Sequence, residues 1–299
     1  DDDYTSTTPG WGTTHFDAIQ DAIDLFATGD VIFVYPGTYY EAITNYSNNI
    51  HRQITLRSNY TVSGNWEDVE NTVIDASGQG SSVISLSQLQ TVEVEINGFT
   101  IKNGVRGISC IGPDLDLKNC IVEDNNNQDT GGGLNTSNNS NSTLFNCIFR
   151  DNKSENGGSI YSDNSTVNIT NSEFYNNEAT GGKGGAICFN YENGACNCLT
   201  ITRSIFYENT ADDFGGAGGG GGLVHYISTN ASSVGGTTNV SGGLKGGDDS
   251  PSVTSNGGGH GGAGAGNAGK GSYGTASTNG SAGAVLRTEV ADACSFISN

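Results

Sequence analysis

The chain has 299 residues and a formal net charge of −20 at pH 7, with 34% hydrophobic and only 15% charged residues. Its 12 basic residues are spread along the sequence and cannot neutralise a phosphate backbone, which excludes a nucleic-acid-binding protein. No apolar run is long enough to cross a membrane as a helix. Gly, Asn, Ser and Thr take the place of charged residues, which is typical of a β-solenoid with thin coils and many corners.

The first predicted element is an amphipathic helix. It is indicated by apolar residues at steps of three and four, namely Phe16, Ile19, Ile23 and Phe26. Residues 31–35 follow as a predicted fully buried strand. A lone helix before the first strand of a solenoid would cover its open end, so we assign residues 1–30 to an N-terminal segment with a capping helix.

A seven-residue pattern organises the chain that follows. Its clearest copies are Asn146-Cys-Ile-Phe-Arg-Asp-Asn152, Asn171-Ser-Glu-Phe-Tyr-Asn-Asn177 and Arg203-Ser-Ile-Phe-Tyr-Glu-Asn209. With the looser copies, successive ends lie 21, 27, 25, 32 and 90 residues apart. This self-similarity predicts an all-β, right-handed, single-stranded parallel β-helix over residues 31–230, with three strands in each coil.

Alternation within the pattern predicts which side chains point inward. The fourth position should form one apolar column, made of Ile101, Val122, Phe149, Phe174, Phe206 and Phe296. The second position carries small residues that should stack beside it, namely Cys120, Cys147, Ser172, Ser204 and Cys294. The closing Asn suits a corner, because Asn tolerates left-handed backbone and its amide can bond to the next coil.

These motifs resemble known families. The opening helix and Val31-Ile-Phe-Val-Tyr-Pro-Gly-Thr-Tyr39 resemble the cap and first coil of pectin-lyase-like β-helices. Gly184-Gly-Ala-Ile187 with the Phe-x-x-Asn motifs is similar to repeats of the chlamydial polymorphic outer-membrane proteins. The resemblance implies a parallel β-helix, a fold that serves in adhesins, surface proteins and secreted proteins.

Residues 231–283 form a predicted glycine-rich insertion, and residues 284–299 a final coil. Between residues 215 and 283, 25 of 69 residues are glycine. We expect the insertion to pack as extended strands on the solenoid or on a neighbouring molecule. The final repeat has no helix or charged segment after it, so we expect either that more chain follows it or that this end docks on another subunit, which would allow self-association into a filament.

Cysteines and sequons suggest an extracellular protein, secreted or on the cell surface. Two local disulfides are compatible with the spacing: Cys110 with Cys120, and Cys188 with either Cys196 or Cys198. Eleven Asn-x-Ser/Thr sequons are candidate glycosylation sites, at Asn45, Asn59, Asn135, Asn138, Asn141, Asn152, Asn164, Asn168, Asn230, Asn239 and Asn279.

Catalytic patterns are weak. The pairs Asp212-Asp213 and Asp248-Asp249 lack the flanking residues of the galacturonases of the resembled fold, and His260 lies inside the insertion. One charged cluster remains, made of Arg150, Lys153 and Arg203 with Asp124 and Asp151, and we interpret it as solvated corner charges. No catalytic residue, cofactor or metal site is predicted, apart from loosely bound Ca²⁺ at acidic patches such as residues 1–3.

Two functions follow from these observations. The first is a secreted, non-catalytic structural or adhesive β-helix that stacks into a fibre and contacts glycans or a cell surface. The second is a polysaccharide-active lyase or hydrolase, or a carbohydrate-binding β-helix. Three or more carboxylates on one face with Arg or Lys opposite would favour the second function.

Overall fold

The structure, a computed structural model, describes residues 5–7, 9–10, 12–25, 30–47, 50–51, 53–87, 92–190, 199–211, 224–228, 285–289 and 297–298. Its helices are α1 (Ile19–Leu25), α2 (Tyr60–Ser63) and α3 (Trp66–Asn71). Its strands are β1 (Ile32–Val34), β2 (Gly37–Tyr39), β3 (Ile43–Thr44), β4 (Tyr46–Ser47), β5 (Ile50–His51), β6 (Thr55–Ser58), β7 (Thr72–Asp75), β8 (Ile84–Ser87), β9 (Glu93–Asn97), β10 (Thr100–Lys102), β11 (Ile108–Ile111), β12 (Asp114–Lys118), β13 (Ile121–Glu123), β14 (Leu134–Ser137), β15 (Asn141–Phe145), β16 (Ile148–Arg150), β17 (Lys153–Asn156), β18 (Ile160–Asp163), β19 (Thr166–Thr170), β20 (Glu173–Tyr175), β21 (Glu178–Lys183), β22 (Ile187–Asn190), β23 (Leu199–Thr202), β24 (Ile205–Tyr207), β25 (Thr210–Ala211), β26 (Val224–Ser228), β27 (Val285–Glu289) and β28 (Ile297–Ser298).

The strands form three long parallel sheets, as the repeat predicts. The first sheet has the order β1-β6-β9-β12-β15-β19-β23-β28, and the second has β2-β7-β10-β13-β16-β20-β24. The third has the order β27-β26-β22-β18-β14-β11-β8-β3. A smaller sheet, β17-β21-β25, follows the second sheet in three coils, and β4 and β5 form an antiparallel pair. Each coil visits the first, second and third sheets in turn, so the fold is a parallel β-helix.

The interior is built from in-register apolar columns. Ile101, Val122, Phe149, Phe174 and Phe206 are paired from coil to coil along the second sheet, and all are buried. The rings of Phe149 and Phe174 stack at 5.0 Å between centroids, and those of Phe174 and Phe206 at 4.6 Å. The predicted column is therefore confirmed for these five positions, while Phe296 lies outside the described residues.

Asparagines bridge the coils at the corner that ends the second sheet. Asn125, Asn152, Asn177 and Asn209 are fully buried. The Nδ2 of Asn152 donates to Asn177 Oδ1 at 3.0 Å, and Asn177 Nδ2 donates to Asn209 Oδ1 at 2.8 Å. The prediction of an amide ladder is confirmed. The prediction that these Asn residues adopt left-handed backbone is wrong, because the preceding residue carries the positive φ, as Asp124 (53°) and Asp151 (55°) show.

A second corner, between the first and second sheets, holds the column of small residues. Ser172 Oγ donates to Thr170 O at 2.9 Å and accepts from Cys147 N at 3.1 Å. Cys120 and Cys147 occupy equivalent positions, and each thiol donates to the carbonyl two residues earlier, on Lys118 and Phe145. The predicted stack is confirmed, apart from Cys294, which lies outside the described residues.

The predicted disulfide between Cys110 and Cys120 is wrong. Both are buried free thiols. Cys110 lies in β11 of the third sheet, where its sulfur donates to Pro113 O at 3.3 Å, whereas Cys120 lies at the corner before β13. Since Cys110 lies on the third sheet and Cys120 at the corner between the first and second sheets, short sequence spacing does not bring the two sulfurs together. Cys188 is also buried. Its proposed partners, Cys196 and Cys198, lie outside the described residues, so that pairing stays a prediction.

Helix α1 covers the first coil. Ile19 and Ile23 are buried in the core, and the carboxylate of Glu41 accepts from Ile19 N at 2.7 Å and Gln20 N at 2.9 Å. These bonds satisfy amides that a helix leaves free at its first turn. Burial raises the pKa of Glu41 above its ordinary value. The prediction of a fully buried strand over residues 31–35 is wrong, because Phe33 points outward and is 37% exposed.

The strands on either side of the glycine-rich segment lie in the third sheet. Strands β26 and β27 are parallel neighbours there, pairing Val224 with Val285 and Ser228 with Glu289. In the first sheet, β23 pairs directly with β28. The proposed insertion over residues 231–283 and its packing lie outside the described residues.

Candidate functional site

The outer face of the second sheet carries a column of charged and aromatic side chains. Register aligns six residues on consecutive coils, and we call them the outer ladder: Asp75, Lys102, Glu123, Arg150, Tyr175 and Tyr207. They alternate along each strand with the inward apolar column, because successive side chains of a strand point to opposite faces. Rigid sheet pairing therefore fixes the spacing of these groups at about 4.8 Å from coil to coil.

Arg150 joins the charged and the aromatic halves of the outer ladder. Its Nε donates to Glu123 Oε2 at 2.6 Å, and its Nη1 donates to the Tyr175 hydroxyl at 3.0 Å. Partial burial alone would lower the pKa of Arg150, but the hydrogen bonds with Tyr175 and Glu123 and the charge of Glu123 raise it above its ordinary value. The guanidinium is thus held in a fixed orientation.

Two tyrosines form a stacked pair at the end of the outer ladder. The rings of Tyr175 and Tyr207 lie 4.9 Å apart between centroids and are nearly parallel, at 9°. Burial and the nearby carboxylate of Glu173 raise the pKa of Tyr207 above its ordinary value. The pair therefore presents ordered ring edges and hydroxyl groups beside a carboxylate and a guanidinium.

Corner carboxylates lie next to the outer ladder. Asp124 and Asp151 follow Glu123 and Arg150 on adjacent coils, and both are exposed. Burial and the nearby charges of Glu123 and Asp151 raise the pKa of Asp124 above its ordinary value. Together with Glu123 and Glu173, this side of the molecule brings at least three carboxylates near one arginine.

The charged cluster predicted from the sequence is only partly brought together. Arg150, Asp124 and Asp151 lie at one corner of the second sheet. Lys153 lies on β17, where its Nζ donates to Glu178 Oε1 at 2.7 Å. Arg203 lies at the opposite corner, before β24, with a positive φ of 48°. The five residues therefore do not form one cluster, because two tight corners separate them.

Sequence reasoning missed the central members of this face, Glu123, Tyr175 and Tyr207. Their signal was present in the repeat, where the residue after the inward fourth position points outward. The neighbouring Phe174-Tyr175 and Phe206-Tyr207 pairs place the same ring at the same outward position in consecutive coils. Aromatic residues that recur at an outward position of a solenoid therefore indicate a surface column.

Burial separates the candidate glycosylation sites. Asn45 and Asn152 are fully buried, so the prediction is wrong for these two. Asn138 and Asn141 are exposed, whereas Asn59, Asn135, Asn164 and Asn168 are partly exposed. Asn230, Asn239 and Asn279 lie outside the described residues, as do Asp212, Asp213, Asp248, Asp249 and His260.

A cavity lies at the N-terminal helix. It has a volume of about 560 Å³ and is lined by residues of α1, β1 and their neighbours, among them Phe16, Leu25, Phe33, Asp30 and His15. Over the described ranges, no group of three or more His, Cys, Asp or Glu side chains could hold a metal ion. In the same part of the chain, no helix is long and apolar enough to cross a membrane.

The coils of the chain are similar to known β-helix proteins. A family model described as "Right handed beta helix region" matches residues 60–238, more than half of the chain. No curated protein matches the chain. A pectin methylesterase from carrot matches in structure with a TM-score of 0.44 and 12% identity, over 64% of this chain and 59% of the carrot enzyme. This chain thus spans less than two thirds of that enzyme, and the likeness carries no argument about activity.

Proposed function

Because this chain belongs to the family of right-handed β-helices, we propose that it is an extracellular, non-catalytic β-helix that binds a polysaccharide along the outer ladder. The observation that carries the proposal is the stacked pair of Tyr175 and Tyr207 beside the Glu123–Arg150 ion pair. Such a face combines an aromatic surface with oriented donors and acceptors. It would serve adhesion to glycans.

The chemistry of this face suits sugar rings. Tyrosine supplies a large, rigid contact area that is apolar on its ring and polar at its hydroxyl, and it loses little conformational entropy on binding. Carboxylate and guanidinium groups form charge-assisted hydrogen bonds with hydroxyl groups, and these are stronger than neutral ones. Because the groups repeat from coil to coil, an extended chain would meet them in sequence.

The charge of the face favours an uncharged polysaccharide. Arg150 is matched by Glu123, whereas Asp124, Asp151 and Glu173 add negative charge nearby. The chain as a whole carries a net charge of −20. Repulsion would oppose the approach of an acidic polymer. We therefore propose neutral glycans as the ligand class.

Binding without cleavage follows from the pairing of the charges. Glycoside hydrolysis requires one carboxyl group that stays protonated and a second carboxylate, at a separation of about 5 to 9.5 Å. Glu123 is held in an ion pair with Arg150, which fits an oriented binding group. Asp124 has a raised pKa but lies exposed at a corner, where substrate cannot be shielded from water.

A binding assay tests this proposal. Wild-type protein is titrated calorimetrically with soluble neutral β-glucan, xylan and mannan, and with polygalacturonate as the acidic competitor class. We expect binding to at least one neutral polymer and a loss of about tenfold or more in affinity for the Tyr175→Ala/Tyr207→Ala variant. Tyr161→Ala is the matched control, because Tyr161 points outward from β18 on the third sheet.

Three outcomes would contradict the proposal: no binding to any neutral polymer at millimolar sugar concentration, an equal loss in the Tyr161→Ala control, or preferential binding of polygalacturonate. Circular dichroism of each variant separates lost binding from lost fold. Release of reducing sugar by wild-type protein would contradict the non-catalytic part alone.

A structural role, including self-association into a filament, is the second candidate function. Its structural part is supported by ion pairs that join neighbouring coils within the chain, namely Arg57–Glu95, Arg106–Asp129, Arg150–Glu123 and Lys153–Glu178. Partly exposed pairs of this kind each contribute about 1 kcal/mol or less to stability. Filaments in electron micrographs of wild-type protein, together with no glycan binding, would favour this function.

Extracellular glycosylation is proposed at Asn138 and Asn141. Both are exposed at the corner between β14 and β15. Peptide mapping of protein secreted from a eukaryotic host should find glycans there and none at Asn152, whose amide is buried. A glycan at Asn152, or bare Asn138 and Asn141, would contradict this assignment.

A further inference from the structure

Two buried cysteines occupy equivalent positions on neighbouring coils. Cys120 and Cys147 each follow a residue with positive φ, Asn119 and Asn146, and each precedes the paired strand positions Ile121 and Ile148. Parallel strands lie about 4.8 Å apart, so the two Cα atoms are separated by about one strand spacing. This lies within the range of about 4.4 to 6.8 Å that disulfides span.

The sulfur atoms already lie on the same side of the corner. The thiol of Cys147 donates to Phe145 O at 3.3 Å, in the turn equivalent to the one that the Cys120 thiol contacts. In the next coil the backbone N–H of Cys147 donates to Ser172 Oγ at 3.1 Å, so a side chain at this position contacts the equivalent residue of the preceding coil. The Cys120 sulfur donates to Lys118 O at 3.0 Å, so a rotation about the Cα–Cβ bond of Cys120 would turn it toward Cys147.

We propose that Cys120 and Cys147 form a disulfide that staples two neighbouring coils when the protein folds in an oxidising compartment. The oxidant is a disulfide of the glutathione type. The Cys120 thiolate attacks it and forms a mixed disulfide, releasing one thiol. The Cys147 thiolate then displaces the second thiol and forms the Cys120–Cys147 bond. Two protein thiols are oxidised and one external disulfide is reduced to two thiols.

Burial sets when the bond forms. Cys120 and Cys147 are 0% and 1% exposed. Burial raises the pKa of Cys120 to about 12 and raises that of Cys147 as well. Since the thiolate is the reactive species, the folded reduced protein should react slowly. Oxidation therefore belongs to folding, before the corner closes.

Tryptic mapping provides the test. Cleavage after Lys118 and Arg150 releases peptide 119–150, which contains Cys120 and Cys147 and no other cysteine, while Cys110 lies in peptide 107–118. Unglycosylated full-length protein from bacteria is refolded with oxidised and reduced glutathione, alkylated under denaturing conditions without reductant, and digested. We expect peptide 119–150 to be unalkylated and two hydrogen atoms lighter than its reduced form.

Peptide 119–150 with two alkyl groups would overturn the proposal. A cross-link from it to any other cysteine peptide, including 107–118, would overturn it as well. The Cys120→Ser/Cys147→Ser variant is the matched control, because Ser172 and Ser204 fill the same position in later coils. Reduction should lower the melting temperature of oxidised wild-type protein by several degrees more than that of the variant, which retains the other cysteines. Equal shifts of the melting temperature in both proteins would contradict a disulfide between Cys120 and Cys147.

Discussion

The two corners that flank the second sheet turn the backbone in the same way, but side chains satisfy its hydrogen-bonding groups differently at each corner. At the corner before the sheet, a thiol or hydroxyl donates to the carbonyl two residues earlier, at Cys120, Cys147, Ser172 and Ser204. The two serine hydroxyls also each accept one amide from the preceding coil. At the corner after the sheet, a buried Asn amide bonds to three coils. The first corner needs a single polar atom, whereas the second needs a donor and an acceptor in fixed relation.

This difference explains why one corner tolerates exchange and the other repeats Asn. Asn177 Nδ2 donates to Phe149 O at 2.9 Å and to Asn209 Oδ1, while its Oδ1 accepts from Asn152. No other side chain of that size offers both groups with no net charge. Cysteine and serine both supply one donor and one acceptor atom, so they can alternate.

The largest effect should come from removing one amide of the Asn ladder. Asn177→Ala removes hydrogen bonds to buried groups in the coils before and after it, among them the acceptor for Asn152 N, and each group left unsatisfied costs about 1 to 3 kcal/mol. We expect the free energy of unfolding to fall by about 3 to 5 kcal/mol in urea denaturation. The exposed Asn126→Ala is the control and should change it by less than about 0.5 kcal/mol. Similar losses in both variants would contradict the ladder's role.

A smaller loss is expected at the hydroxyl corner. Ser172→Ala removes the acceptor for Cys147 N and the donor to Thr170 O. Because the coil that contains Cys147 keeps its other hydrogen bonds, the free energy of unfolding should fall by about 1 to 2 kcal/mol. The same urea series measures it. A loss of unfolding free energy as large as that of Asn177→Ala would contradict the difference proposed between the two corners.

The stability that the partly exposed Arg57–Glu95 pair contributes should depend modestly on pH. The hydrogen bond from Arg57 lowers the pKa of Glu95, so the folded state favours its ionised form. This stabilisation is present above the unfolded pKa of Glu95 and is lost as the pH falls through the lower folded pKa. Wild-type protein should therefore lose more stability on acidification than Glu95→Gln, in thermal melts between neutral and acidic pH. Parallel pH profiles would show that the pair contributes nothing.

The smallest effect should be an exchange within the thiol corner. Cys147→Ser, studied in reducing buffer, replaces one small donor with another and should change the free energy of unfolding by less than about 1 kcal/mol. Urea denaturation beside Ser172→Ala measures the difference. A loss above that of Ser172→Ala would mean that the sulfur fills volume that serine cannot.

Much of the fold was predictable because the repeat couples local pattern to long-range pairing. Phe149, Phe174 and Phe206 were placed in one column from their spacing alone, since equal positions in successive coils must be neighbours. The outer ladder was harder to predict. Arg150 was recognised as charged, but its partners Glu123 and Tyr175 come from the coils on either side, and only register pairs them.

Predictions made from short sequence spacing were wrong where the geometry of the coil separates the residues. Cys110 and Cys120 are close in sequence but lie in different sheets, whereas Cys120 and Cys147 are a full coil apart and lie side by side. Asn152 belongs to a sequon, yet its side chain is buried in the ladder. In a solenoid, residues at equivalent positions of successive coils are neighbours, because hydrogen bonds between the strands join those positions.

The sequence by itself determined the repeat, the inward apolar column, the helix at the first coil and the corner asparagines, because each depends on local periodicity. Tertiary structure decided the rest: which residue of each corner adopts left-handed backbone, which thiols adjoin, and which outward groups meet on one face. Those outcomes depend on the register between coils, and register is fixed only when the strands pair.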